Sequence, residues 1–166
     1  AIQSFVENTM RECLENNKAK NVKCIVMNPS TGAVLAMAQL PDYDPNDPTD
    51  EEKKEYSRNG CILDTYEPGS TFKMFTLSAA LEEKTVSESS TFYCPGYHIV
   101  DGEKIKCWRT VPHGSQTLQQ AICNSCNPAF MQMGLGLGQK TLYSYLENFG
   151  FSSTTGIDFS ADQSGI

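Results

Sequence analysis

The sequence predicts a mixed α/β (α+β) domain, and three observations carry that prediction. Apolar residues near the start recur at three- and four-residue steps; residues 23–38 read as a hairpin about a Gly-containing turn; and residues 117–148 carry helical periodicity. A chain of 166 residues is one domain's worth and can bury a substantial core.

Each element has its own signal. Ile2, Phe5, Val6, Met10, Cys13 and Leu14 form the stripe of an amphipathic helix ending near Asn16-Asn17. Lys23–Met27 and Ala33–Ala38 flank Asn28-Pro29-Ser30-Thr31-Gly32, where Gly32 is free to take positive φ. Pro41–Pro48, rich in proline and aspartate, reads as a loop. A helix is predicted over about Thr71–Glu83, its nearly continuous apolar content suiting a helix buried on all sides. Residues 91–114 are rich in turn formers with little helical periodicity. Three helices follow over Thr117–Asn124, Pro128 to about Leu137, and Gln139–Asn148, with Gly150 placed to terminate the last.

Net charge is −7 and the sequence pI about 4.8. That balance argues against nucleic acid as a partner, because phosphate binding relies on basic patches. No run approaches the roughly 18 apolar residues of a membrane span, and Ala1-Ile2-Gln3-Ser4 lacks the basic and apolar regions of a signal peptide.

Chemistry concentrates at Ser70-Thr71-Phe72-Lys73, preceded by Glu67-Pro68-Gly69. A serine hydroxyl is a poor nucleophile until a base takes its proton, and a lysine three residues on lies about one helical turn away, on the same face. That lysine must be partly neutral, although its reference pKa lies about three units above neutrality. Desolvation by Phe72, Phe75 and Leu77 is the right kind of surrounding. Bare S-x-x-K matches arise by chance roughly once in such a chain, so a second element is needed. Ser125-Cys126-Asn127 supplies it, 55 residues after Ser70 and just before a proline that can open a helix. Ser57-Arg58-Asn59 has the same S-x-N form but precedes Ser70 and sits in a charged loop.

With Asn28–Ala38, Tyr66–Lys73, Asn124–Phe130 and Thr155-Gly156-Ile157-Asp158 in this order, the whole chain resembles the transpeptidase domain of class B penicillin-binding proteins, in their elongation and sporulation branches. The resemblance implies a penicillin-binding protein/serine β-lactamase-like fold, incomplete here. The N-terminal helix, hairpin and helical subdomain are present, and the later core strands are missing. The family's Lys-Thr/Ser-Gly motif does not occur before Ile166, so residues 1–166 are expected to be a truncated domain of low activity, with an unpaired hairpin edge. It also implies Ser70 as nucleophile, Lys73 as base, Ser125 as proton relay and Asn127 as substrate anchor. Peptidoglycan stem peptides are the implied substrates and β-lactams the inhibitors. A glycosyltransferase partner and an extracytoplasmic location, with the membrane anchor outside this chain, are implied as well. No catalytic cofactor is expected. Competing functions are a serine β-lactamase, which sustained nitrocefin turnover would reveal, a β-lactam sensor, and a noncatalytic zinc-stabilised interaction domain.

Seven cysteines form a second pattern. Cys94, Cys107, His113 and Cys126 are spaced by 13, 6 and 13 residues, and spacing alone leaves open a zinc site, a disulfide or scattered buried thiols. The resemblance points to a structural zinc held by these four, since some relatives in this branch carry one with ligands in this insert and at the middle of S-x-N. Four protein ligands would leave no open position, so the metal would support the site rather than catalyse. His98 is a competing ligand. Cys13 and Cys24 read as small hydrophobes, Cys61 and Cys123 have no obvious partner, and Trp108 fits packing or substrate contact equally. Asp64 and Glu67 read as a solvated loop.

Overall fold

The computed structural model describes residues 1–44, 46–47, 57–159 and 162–165, which fall into two compact units. The first comprises Ala1–Thr65 with Thr154–Ser164, and the second is built on Tyr66–Ser153.

In the first unit, helix α1 (Ile2–Asn17) lies against the hairpin of β1 (Val22–Met27) and β2 (Val34–Leu40). The face that meets the hairpin is Val6, Met10 and Leu14, closing over Ala36 and Leu40. Ile2, Phe5 and Cys13 are exposed, so the predicted stripe is wider than the one buried. Gln3 fixes the register of helix on strand: its amide nitrogen donates to Met37 O at 3.0 Å, while its oxygen accepts from Met37 N at 3.0 Å. The turn closes as predicted, with Gly32 at φ 74° and Asn28 Oδ1 accepting from Ser30 N. Exposed Ile25, Met27, Val34 and Leu35 leave the hairpin with much apolar surface among the described residues.

Asn59 of the second S-x-N caps the short helix α2 (Gly60–Leu63) by accepting from Cys61 N. Asp64 pairs with Lys23 and Arg58, so it is an anchored carboxylate rather than a freely solvated one; the Lys23 hydrogen bond comes first in holding its carboxyl below the usual range. Of the acidic loop, Pro45 and Pro48 lie outside the described residues, and its described part contains no helix or strand. In Thr155-Gly156, both backbone N–H groups and the Thr155 hydroxyl converge on Asp162 Oδ2.

In the second unit, α3 (Lys73–Glu82), α5 (Asn127–Leu137) and α6 (Gln139–Asn148) pack around Ala79, Ala80, Ala129, Phe130 and the almost fully buried Met133. Small residues on α3 let α5 approach closely. Helix α3 is buried on this face only, since Met74 and Leu81 are exposed. The turn-rich segment is more ordered than its composition predicts: it forms two nested hairpins. Strand β3 (Thr91–Cys94) pairs with β6 (Gly114–Thr117), and inside that pair β4 (Tyr97–Val100) pairs with β5 (Glu103–Lys106). The inner turn is Asp101-Gly102, both at positive φ, the conformation that fits the right-handed twist of a tight hairpin. Helix α4 (Leu118–Cys123) follows β6 directly through a capping box, with Thr117 Oγ1 accepting from Gln120 N and Gln120 Oε1 from Thr117 N. Gly150 closes α6 as predicted, with Phe151 N donating to Leu146 O and Gly150 N to Glu147 O.

Candidate functional site

Ser70 sits in a 3₁₀ turn, Gly69–Phe72, that leads into α3, so the regular helix begins at Lys73 rather than Thr71. Gly69 at φ 59° allows the chain to enter this turn, and Thr71 Oγ1 secures it by donating to Pro68 O at 2.7 Å. Phe72 and Phe75 pack edge-on and tilted against Phe149 and Phe151, with ring centroids 4.7–5.3 Å apart, fixing the start of α3 against the end of α6. Ser70 is exposed, and its hydroxyl makes no hydrogen bond among the described residues.

Lys73 is half-buried and its ammonium is fully engaged. Nζ donates to Ser125 O at 2.7 Å, to Ser125 Oγ at 3.0 Å and to Asn127 Oδ1 at 2.6 Å, and it lies 5.3 Å from the Phe130 ring centroid. The two sequence motifs therefore meet through one side chain. Burial pushes the Lys73 pKa below the ordinary lysine value; negative charge on the nearby Cys107 and Cys126 sulfurs pulls the other way without cancelling it.

Ser125 reaches Lys73 because of how α4 ends. Cys126 N donates to Ala121 O at 3.0 Å and Ser125 N to Ile122 O at 2.9 Å, the paired bonds of a helix stop that requires a left-handed residue. Glycine usually fills that place; here Ser125 does, at φ 46°. Ser125→Gly and Ser125→Ala both remove the hydroxyl, but only glycine relieves the backbone. In urea titrations the Gly variant should be the more stable of the two by about 1 kcal/mol, while both lose whatever acylation depends on Oγ.

The nested hairpins assemble the other predicted group. Cys94 ends β3, Cys107 follows β5 with its N–H donated to Gly96 O, His113 precedes β6, and Cys126 caps α5. Their ligand atoms all lie within 4.8 Å of one another, and Cys107 Sγ is 3.6 Å from His113 Nδ1. Tetrahedral zinc ligands at ordinary bond lengths sit about 3.5–3.8 Å apart, so small inward shifts would close this set on an ion. The surroundings of Cys107 also suit a thiolate. Backbone N–H groups of Arg109 and Asn127, with the Cys94 and Cys126 thiols, outweigh the burial of Cys107 and bring its pKa down. Burial, with Arg109 nearby, keeps His113 on the neutral side. Burial pushes the Cys126 thiol up, to about 11. His98, half-buried on β4, is not in the group.

Gln116 of the site went unread in the sequence, and Trp108 was read without its partner. Gln116 Oε1 accepts from Asn124 Nδ2 at 2.8 Å, and Trp108 Nε1 donates to Asn124 O at 2.9 Å, so the residue before Ser125 is gripped from both sides. Trp108 thus has a defined polar role while its ring stays largely exposed.

A serine at the mouth of a helix, a desolvated lysine one turn on, and a second serine and an asparagine on that lysine thus lie together at one end of α3. The chain belongs to the penicillin-binding protein transpeptidase domain family, whose sequence profile matches residues 22–166. It is 41% identical over 170 residues to stage V sporulation protein D of Bacillus subtilis (strain 168), covering 99% of this chain and 26% of that protein. It is 30% identical over 165 residues to the peptidoglycan D,D-transpeptidase FtsI of Escherichia coli (strain K12), covering 99% and 27%. The chain thus spans about a quarter of the length of these relatives. Among solved structures, Pseudomonas aeruginosa PBP2 in complex with WCK 5153 matches with a TM-score of 0.78 at 29% identity, covering 95% of this chain and 39% of that one. A peptidoglycan glycosyltransferase from Burkholderia ambifaria shares the fold, with a TM-score of 0.85 at 24% identity and coverage of 99% and 48%.

Proposed function

We propose that the protein is a peptidoglycan D,D-transpeptidase that works through a serine acyl-enzyme and is trapped by β-lactams. The observation that carries this reading is the triple engagement of Lys73 Nζ with Ser125 O, Ser125 Oγ and Asn127 Oδ1, one turn after Ser70. In its neutral form Lys73 takes the Ser70 proton as Oγ attacks the carbonyl between two terminal D-alanines of a stem peptide. The Lys73–Ser125 hydrogen bond gives that proton a path to the departing amine. The Asn127 amide nitrogen, which has no hydrogen bond among the described residues, is available to the substrate backbone. An amine from a neighbouring stem peptide then takes the acyl group and leaves a cross-link.

Cys94, Cys107, His113 and Cys126 would hold a structural zinc ion, whose contribution is to tie the nested hairpins to the turn carrying Ser125 and Asn127. Similarity to stage V sporulation protein D supports a place in the sporulation branch; a position at the extracytoplasmic face of the membrane beside a glycosyltransferase belongs to the same proposal. No described helix is long and apolar enough to cross a membrane. Incubation with a fluorescent penicillin followed by peptide mass mapping should place the adduct, formed slowly on residues 1–166 alone, on Ser70 and nowhere else. An adduct elsewhere, or continuous hydrolysis of the drug, would overturn the reading.

A further inference from the structure

The buried amide of Gln116 has one end accounted for and one end not. Gln116 is 4% exposed on β6, opposite Phe92, and its oxygen holds Asn124. Its Nε2 is a fully buried donor without a hydrogen-bond partner among the described residues. Buried donors without partners are rare, and each calls for an explanation in what the site does. Its N–H interacts with the Cys126 sulfur without forming a full hydrogen bond to it. A neutral thiol is a weak acceptor, whereas a thiolate on a metal ion is a strong one, drawn closer by charge. Asn124 and Cys126, the two residues that Gln116 addresses, flank Ser125 in the chain.

We infer that Gln116 is a positioning residue that donates its amide N–H to the Cys126 thiolate of the metal-bound cluster, while its oxygen holds Asn124, so that one side chain sets both flanks of Ser125. This rests on the zinc reading of the four-residue cluster. Outer hydrogen bonds to metal ligands orient them, and their loss typically weakens metal affinity about tenfold to a hundredfold. Asn124 has a second anchor in Trp108, so loss of Gln116 affects the sulfur side first.

The test is cobalt(II) and zinc(II) binding by the chain and two variants, measured by competition with a chelating dye and by the thiolate-to-cobalt charge-transfer band. Gln116→Glu keeps an acceptor for Asn124 but offers Cys126 no donor; Gln116→Met is uncharged, of similar volume, and serves if the buried carboxylate prevents folding. Wild type is expected to take up one equivalent with a strong charge-transfer band. The variants should bind about tenfold to a hundredfold more weakly with that band displaced. A residue that only fills space would shift the metal-free melting temperature and leave affinity and band unchanged. Equal affinity in variants and wild type overturns the inference while leaving the zinc reading intact; a wild type that binds no metal overturns both.

Discussion

Replacing Lys73 with methionine is expected to lower acylation by a fluorescent penicillin by about 10²- to 10⁴-fold, the range a positioned general base contributes. Three acceptors now share this one ammonium, so the substitution also leaves Ser125 O, Ser125 Oγ and Asn127 Oδ1 without their common donor. Lys73→Arg separates the two effects, because a guanidinium keeps the charge and the donors but does not deprotonate in a protein. If proton abstraction is the role, Lys73→Arg should be nearly as slow as Lys73→Met; recovery to near wild-type rate would assign Lys73 to positioning alone. The pH profile carries the same signature. Burial lowers the Lys73 pKa, so the neutral, competent form should appear below the ordinary lysine range, and the acylation rate should climb with pH through that depressed value and then level. The sign for stability agrees: between the depressed and the ordinary value the unfolded chain binds the extra proton, so stability rises with pH across that window. Lys73→Met should abolish both slopes.

Much of the helical part was legible because local rules and tertiary needs agree there. Gln139–Asn148 with Gly150 and Pro128 at a helix start follow from capping chemistry that acts over three or four residues, and the helix read from Thr117 begins one residue later with Thr117 as its cap. Residues 91–114 were harder. Their strands are four residues long, too short for an alternation of burial to stand out, and the usable sign was Asp101-Gly102 between Tyr97–Val100 and Glu103–Lys106. Within the site, the motifs named Ser70, Lys73, Ser125 and Asn127, but spacing suggested a Ser70–Lys73 pair where the structure gives all three lysine hydrogen bonds to the second motif. Gln116 carries no sequence mark at all, and Asn124 and Trp108, though named, gave no sign of the contact they make. Their meeting depends on two hairpins folding back on a helix end, and a glutamine on a four-residue strand looks like any polar surface residue until its burial is known.

Metal removal is the second large effect to expect, and it should strike the two units unequally. Cys94, Cys107 and Cys126 are buried in the core of the second unit alongside Phe92, Leu118 and Ala129, so the cluster is part of that core rather than an attachment to it. A ligand held about a thousandfold above its dissociation constant contributes about 4 kcal/mol. For a chain of this size that corresponds to a melting-temperature drop of roughly 8–16 °C on chelation. Cys126→Ser should reproduce most of that loss, while Cys13→Ser and Cys123→Ser, at exposed positions, should leave the melting temperature unchanged. Hydrogen exchange gives the distribution. Amides of β3–β6 and of the Ser125 turn should lose protection when metal is withdrawn, because their strands are short and an ion on Cys94, Cys107, His113 and Cys126 would tie them to the start of α5. Amides of α1, β1 and β2 should keep theirs, since that unit closes its own core with Val6, Met10, Ala36 and Leu40 and contains none of the ligands. Protection lost equally in both units would mean that the cluster does not act as a local tie, and unchanged protection in both would mean that the nested hairpins stand without it.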